Sequence, residues 1–252
     1  MTTQSTGFFG HPAGLSTLFF TEMWERMSYY GMRMLLVLFM TATLQEGGLA
    51  ITVVSATAIY GLYTGSVYFM GLPGGWIADR LIGGRKSVWY GAIIIMIGHI
   101  ILAIPNDKTF FIGLIFVILG TGLLKPNIGA MVGQLYSAED KRRDSGYAIY
   151  YMGINLGSFF GYLICGYLAT NIGWHWAFGA AAVGMGLGLI QYKLTEKNLA
   201  TVGGIPESQL SPQAKKISWS VITGFLILLA TTTYMALSGA IVIDPVAFAQ
   251  YT

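Results

Sequence analysis

The residues best equipped for chemistry lie where a membrane chain can least easily hold them. Between positions 15 and 44 an otherwise apolar run contains Glu22, Glu25, Arg26 and Arg33. On insertion scales, an ionisable side chain at the bilayer centre costs roughly 2.5–3.5 kcal/mol, so such a residue is a functional candidate by default. Positions 22, 25, 26, 29 and 33 recur at helical spacing and form one polar stripe, with Tyr29 in it and Tyr30 at its edge. In a membrane that stripe must turn inward, to water or to partner helices. A carboxylate beside a guanidinium tends to stay ionised, whereas desolvation favours its protonated form. These opposing pulls let Glu22 or Glu25 change protonation when its partner moves, as a proton-coupled cycle requires. The alternative is a static ion-pair network that fixes helix packing.

The fifth intramembrane charge is Lys125, in Gly120-Thr121-Gly122-Leu123-Leu124-Lys125-Pro126-Asn127. Pro126 removes a helix hydrogen bond and favours a kink that can open backbone carbonyls to a cavity. Snorkelling to the interface is the alternative, although about ten mostly apolar residues follow the lysine. Asn155 lies in Tyr150-Tyr151-Met152-Gly153-Ile154-Asn155-Leu156-Gly157-Ser158, and a membrane amide there suits interhelical bonding and substrate ligation equally. Gly153, Gly157 and Gly161 recur every four residues, the mark of close helix packing. His99 is alone in its span and reads as a histidine bonded to a neighbouring helix, with a proton relay as the alternative. Cys165, the one cysteine among 252 residues, excludes an internal disulfide and a Cys-rich metal site.

Seven elements are needed to position these groups. A helix needs about 20 apolar residues to cross the hydrocarbon core. Segments 15–44, 51–78, 87–104, 109–135, 145–169, 174–194 and 217–243 meet or approach that length. The runs are too long and continuous for barrel strands. Composition agrees: 54% of residues are hydrophobic, only 10% are charged, and there are 34 glycines. No cleavable signal peptide is expected, so the first long apolar segment should remain in the membrane.

The net charge of +3 says less than where the charges fall. Arg80, Arg85, Lys86, Lys141, Arg142, Arg143, Lys193, Lys197, Lys215 and Lys216 lie on one side if the spans alternate, and only Lys108 lies on the other. The positive-inside rule then places the amino terminus in the cytoplasm of a multi-pass cell-membrane protein, an inner membrane where there are two. The turn after span two holds Gly75, Asp79, Arg80, Gly83, Arg85 and Lys86. Asp79 could accept charge-assisted hydrogen bonds there, or the loop could be a plain topogenic one. No phosphate loop, paired metal ligands or nucleophile elbow is present, so neither an enzyme nor a metal site is expected. The short run Lys141–Arg143 is balanced by Glu139, Asp140 and Asp144 and does not suit nucleic acid.

Taken together, these motifs carry a resemblance. Residues 22–30 resemble the Glu-x-x-Glu-Arg-Phe-x-Tyr-Tyr signature of the proton-dependent oligopeptide transporter (POT) family, with Met27 replacing Phe. Residues 150–158 resemble the family's second signature. The 75–86 loop is similar to the cytoplasmic motif of the major facilitator superfamily, and 122–127 fits the fourth span of these transporters. The resemblance runs from about Phe8 to Leu194. It implies an all-α polytopic fold: a six-helix amino-terminal bundle plus one further transmembrane helix. The expected layout is a cytoplasmic arm (1–14), the bundle (15–194), a cytoplasmic linker (195–216), an inter-bundle helix (217–243) and an extracytoplasmic end (244–252).

By the same resemblance, the chain would take part in proton-coupled symport of di- and tripeptides by alternating access of two bundles. Glu22, Glu25 and Arg26 would serve proton coupling. Arg33 and Lys125 would face the peptide carboxylate, and Tyr29, Tyr30, Tyr68 and Asn155 would line the pocket. Protons would be the coupling ion, with no cofactor. The expected partners are peptides, protons, the lipid bilayer and a carboxy-terminal bundle, which in full members supplies an acidic residue for the peptide ammonium. The chain stops at Thr252 after seven spans, so it is expected to represent part of a longer protein. Another anionic substrate such as nitrate, or a non-transporting membrane scaffold, is the rival reading.

Overall fold

The computed structural model describes residues 6–204 and 210–250. Residues 1–5 of the arm and 205–209 of the linker lie outside the described part. A two-stranded hairpin, β1 (Thr6–Phe8) and β2 (His11–Pro12), opens the chain. Phe9 and Gly10 turn it, both with positive φ. Phe8 packs on Phe19 and Phe20, His11 Nδ1 meets the Tyr136 hydroxyl at 2.9 Å, and Arg142 donates to the Gly10 carbonyl. Arg142 also grips Asp140 through two hydrogen bonds, which holds that carboxyl down to about 2.

Helices follow: α1 (Gly14–Arg33), α2 (Leu36–Thr41), α3 (Val53–Phe69), α4 (Gly71–Ile77), α5 (Gly84–Leu102), α6 (Asp107–Gln134), α7 (Arg143–Asn171), α8 (Trp174–Thr195), α9 (Pro212–Leu237) and α10 (Pro245–Gln250). Thr52, Asn106 and Ser211 cap α3, α6 and α9 by accepting backbone N–H bonds. Pro212 at the first turn of α9 fits a position whose N–H has no helix partner.

Several boundaries differ from the sequence reading. The first span is split into α1 and α2, where Leu35 N–H bonds the Met32 carbonyl at 3.0 Å in a tightened turn. The second is split at Met70, because Pro73 cannot donate to the Phe69 carbonyl. A π-helical turn (Ala78–Ile82) then leads to Gly83, whose φ of 85° turns the chain into α5. The seventh helix begins five residues earlier than position 217, so Lys215 and Lys216 sit within it, and it ends at Leu237. The segment after α8 is not a free linker. It forms a 3₁₀ turn (Glu196–Leu199) and a strap that buries Leu199 and Val202 in the core.

Among the described residues, five helices are long and apolar enough to cross a membrane: α5, α6, α7, α8 with its 3₁₀ extension, and α9. Glu22, Glu25 and Arg26 lower the apolarity of α1, and the break at Met70 shortens α3. The main packing pairs are α5 with α6, α1 with α7 and α8, α5 with α8, and α4 with α6. Glycines set these distances. A Cβ on Gly120 would lie 2.7 Å from the Gly91 carbonyl, and one on Gly113 would lie 2.9 Å from that of Gly98. Gly74 faces the Gly122 carbonyl, while Gly157 and Gly161 face those of Met23 and Met27. Such contacts are the small-residue packing that lets membrane helices touch through backbone.

Two apolar clusters result. One gathers Leu15, Leu18, Val88, Ile128 and Leu189; the other gathers Met32, Phe39, Phe110, Val117 and Phe178. On α1, Glu22, Glu25 and Arg26 fall between them. Helix α9 buries no residue and stands beside α6 across an apolar groove of about 360 Å³.

Candidate functional site

Helix α1 presents the whole polar stripe inward. Glu22, Glu25 and Arg26 are only 2%, 0% and 3% exposed. Arg26 Nε donates to Glu22 Oε1 at 2.7 Å. Glu25 Oε2 lies equally close to that nitrogen, but no hydrogen bond forms, so this contact is one of charge alone. Glu22 Oε2, both Glu25 oxygens and Arg26 Nη2 are buried without a hydrogen-bond partner among the described residues. Buried ionic groups normally saturate their bonding capacity, and this cluster does not. The Tyr150 phenol of α7 bears on Glu22, and Lys125 bears on Glu25 from α6.

Tyrosines surround the cations. Arg26 lies over Tyr29 and Tyr30, 5.2 and 5.9 Å from the ring centres. Arg33 lies over Tyr29 and Tyr60, and its Nε donates to the Tyr60 hydroxyl at 2.6 Å. Lys125 Nζ stands 4.3 Å above the Tyr68 ring and takes part in no ion pair among the described residues. Each contact attracts a cation without neutralising it. Arg33 and Lys125 therefore keep donors for an anion.

The position of Lys125 follows from Pro126. Pro126 lacks the N–H that would bond the Gly122 carbonyl, and that carbonyl instead packs against Gly74 of α4. Asn127 pins the crossing from the next position, donating to the carbonyls of Gly74 and Leu123 at 3.3 and 2.6 Å. Lys125 is half-buried.

The structure thus brings together Glu22, Glu25, Arg26, Tyr29, Tyr30, Arg33, Lys125 and Tyr68. Asn155 is exposed on α7 and donates to the Tyr151 carbonyl of its own helix at 3.0 Å, so it has no cross-helix bond here. Tyr60, Tyr63 and Tyr150 belong to the site and were not singled out in the sequence. For Tyr60 a signal existed: it lies eight residues before Tyr68, on the same helical row. His99 is fully buried, and among the described residues neither ring nitrogen has a hydrogen-bond partner, so the interhelical bond expected of it does not form.

The 75–86 loop is tied to the chain that follows α8. Asp79 and Arg80 are exposed. Arg85 carries the structure: Nε donates to the Val202 carbonyl at 2.6 Å, Nη2 to that of Ala200, and the backbone N–H to that of Gly203. Tyr192 donates to the Arg85 carbonyl, and Gln134 accepts from Gly203 N–H. The loop is therefore bolted to the strap that follows α8. Lys86 is exposed, and Gly75 lies beside Pro126.

This arrangement can be set beside known proteins. The model of the POT family matches residues 85–240, more than half of the chain. The chain belongs to the POT family. It is 51% identical over 210 residues to an uncharacterised transporter, YclF, of Bacillus subtilis, covering 82% of this chain and 43% of that one. It is 42% identical over 236 residues to the di-/tripeptide transporter of Lactococcus lactis subsp. cremoris, covering 92% and 46%. A crystal structure of a peptide transporter POT in complex with sulfate superposes with a TM-score of 0.89 at 42% identity, covering 98% of this chain and 50% of that one. The chain spans about half the length of the relatives it matches. As a POT family member with five membrane-length helices, it is a multi-pass membrane protein.

Proposed function

We propose that this chain supplies the amino-terminal bundle of a transporter that moves di- and tripeptides together with protons by alternating access. One observation carries the reading: a buried, under-bonded Glu22–Arg26–Glu25 cluster sits beside two cations, Arg33 and Lys125, which among the described residues lie against tyrosine rings and enter no ion pair. The two halves of that arrangement suit two tasks. A planar guanidinium and a mobile ammonium suit a carboxylate, and tyrosine faces offer apolar area with hydrogen-bonding tips. Glutamates that share one guanidinium nitrogen can exchange that pairing for a proton when the bundle moves. The POT relatives named for peptides support the substrate class.

In this reading Tyr29, Tyr30, Tyr68 and Asn155 line the pocket, with Asn155 contributing only after its amide leaves the Tyr151 carbonyl. The amino terminus and the 75–86 loop are cytoplasmic, as the clustering of positive residues requires. The test uses the full-length protein in proteoliposomes. Replacing Arg33 or Lys125 by glutamine should weaken uptake of a dipeptide about ten-fold or more, the scale of a hydrogen bond to a charged group. Uptake of the same dipeptide with an amidated carboxy terminus should fall much less. Equal losses for both substrates would assign the two cations to packing.

A further inference from the structure

We infer that Tyr60 is a positioning residue that decides which edge of Arg33 receives the substrate carboxylate. The inference rests on the reading of Arg33 as the carboxylate receptor. A guanidinium offers two bidentate edges, one through Nε and one Nη, the other through both Nη nitrogens. The 2.6 Å bond from Nε to the Tyr60 hydroxyl occupies the first edge. Among the described residues the Nη nitrogens make no hydrogen bond, and Arg33 is half-buried, so the end-on edge remains open. Ring contacts with Tyr60 and Tyr29, at 5.4 and 5.9 Å, hold the plane of the guanidinium.

The geometry makes this more than a packing contact. Arg33 is the last residue of α1, immediately before the tightened turn at Leu35. A long side chain at a helix end has many rotamers, and the phenol of α3 selects one of them. Tyr60 and Tyr68 lie on one row of α3, so the helix that orients Arg33 also carries the ring beneath Lys125. One helix therefore contacts both cations.

The test measures KM and kcat in proteoliposomes of the full-length protein, for a dipeptide and for its carboxy-terminal amide. Tyr60→Phe keeps the ring and removes only the acceptor. KM for the free-acid peptide should rise about ten-fold, as expected for loss of a hydrogen bond to a charged group. Its kcat, and both constants for the amide, should stay within two-fold. In an Arg33→Lys background, where no Nε exists, adding Tyr60→Phe should change KM less than two-fold, a non-additivity that a structural role would not produce. If Tyr60→Phe shifts both substrates equally, or if its effect is additive with Arg33→Lys, the positioning role is overturned. If Arg33→Lys itself fails to separate the acid from the amide, the carboxylate reading of Arg33 falls first, and the Tyr60 inference falls with it. A large loss of thermal stability in Tyr60→Phe, with uptake of both peptides lost, would likewise overturn it in favour of packing.

Discussion

Removing Arg26 should destabilise the protein more than removing any other single charge in the site, and the loss should be reversible by removing its partners as well. In Arg26→Met, Glu22 and Glu25 stay 2% and 0% exposed but lose the nitrogen that both approach at 2.7 Å. Breaking a buried pair in this way costs about 3–5 kcal/mol, because it leaves uncompensated charge behind. Among the described residues three of the four carboxylate oxygens already lack a hydrogen-bond partner, so little else in the cluster can take up the loss. The triple variant Glu22→Met, Glu25→Met, Arg26→Met removes all the charge while roughly keeping volume. Such replacements are neutral or stabilising in other proteins, so its thermal unfolding in detergent should return to the parent value or exceed it. Proton-driven accumulation should not return with it. A proton entering down a membrane potential supplies about 2.3 kcal/mol per 100 mV, equivalent to roughly 40-fold accumulation. The triple variant should only equilibrate peptide under the same gradient. A triple variant as unstable as Arg26→Met would refute the charge-compensation reasoning. One that is stable and still accumulates peptide would refute the proton-coupling role.

Two further outcomes are expected. Arg85→Ala should free the strap at 200–203 by removing its bonds to the Ala200 and Val202 carbonyls, so trypsin should cleave at Lys197 several-fold faster in native protein, with unchanged cleavage arguing that Leu199 and Val202 alone hold the strap. Single cysteines placed at Asp140 and at Asn106 should be labelled by impermeant reagent from the cytoplasmic and the outer side respectively, and labelling of Asp140 from outside would invert the proposed topology.

What was legible in the sequence was what depends on one helix at a time. The stripe on α1 follows from spacing alone, and its inward direction from the cost of charge in lipid. The glycine spacing at 153, 157 and 161 announced close contact, and α7 does meet α1 there. What depends on the rotation of one helix against another was hidden. Tyr60 and Tyr150 join the site only because α3 and α7 turn those faces toward α1. The bond that Arg85 makes to the strap spans more than a hundred residues, and a Gly- and Pro-bearing segment reads as a free linker until its two apolar residues are seen in the core. The break at Met34 has no proline or glycine to announce it, whereas the one at Met70 is explained by Pro73.

The crossings where glycine meets backbone carry a mechanical consequence. Where side chains separate two helices, a small displacement is absorbed by rotamer changes before the neighbour feels it. At Gly91 and Gly120, at Gly98 and Gly113, and at Gly74 and Gly122 the glycine itself has no side chain to give way, and a carbonyl of the facing helix lies against it. Packed interiors of this kind have low compressibility and transmit strain. Helix α6 meets α5 at two such points and α4 at a third, all on the stretch from Gly113 to Gly122. A displacement of α4 or α5 there would therefore be handed to the part of α6 that leads into Lys125 with little lost on the way.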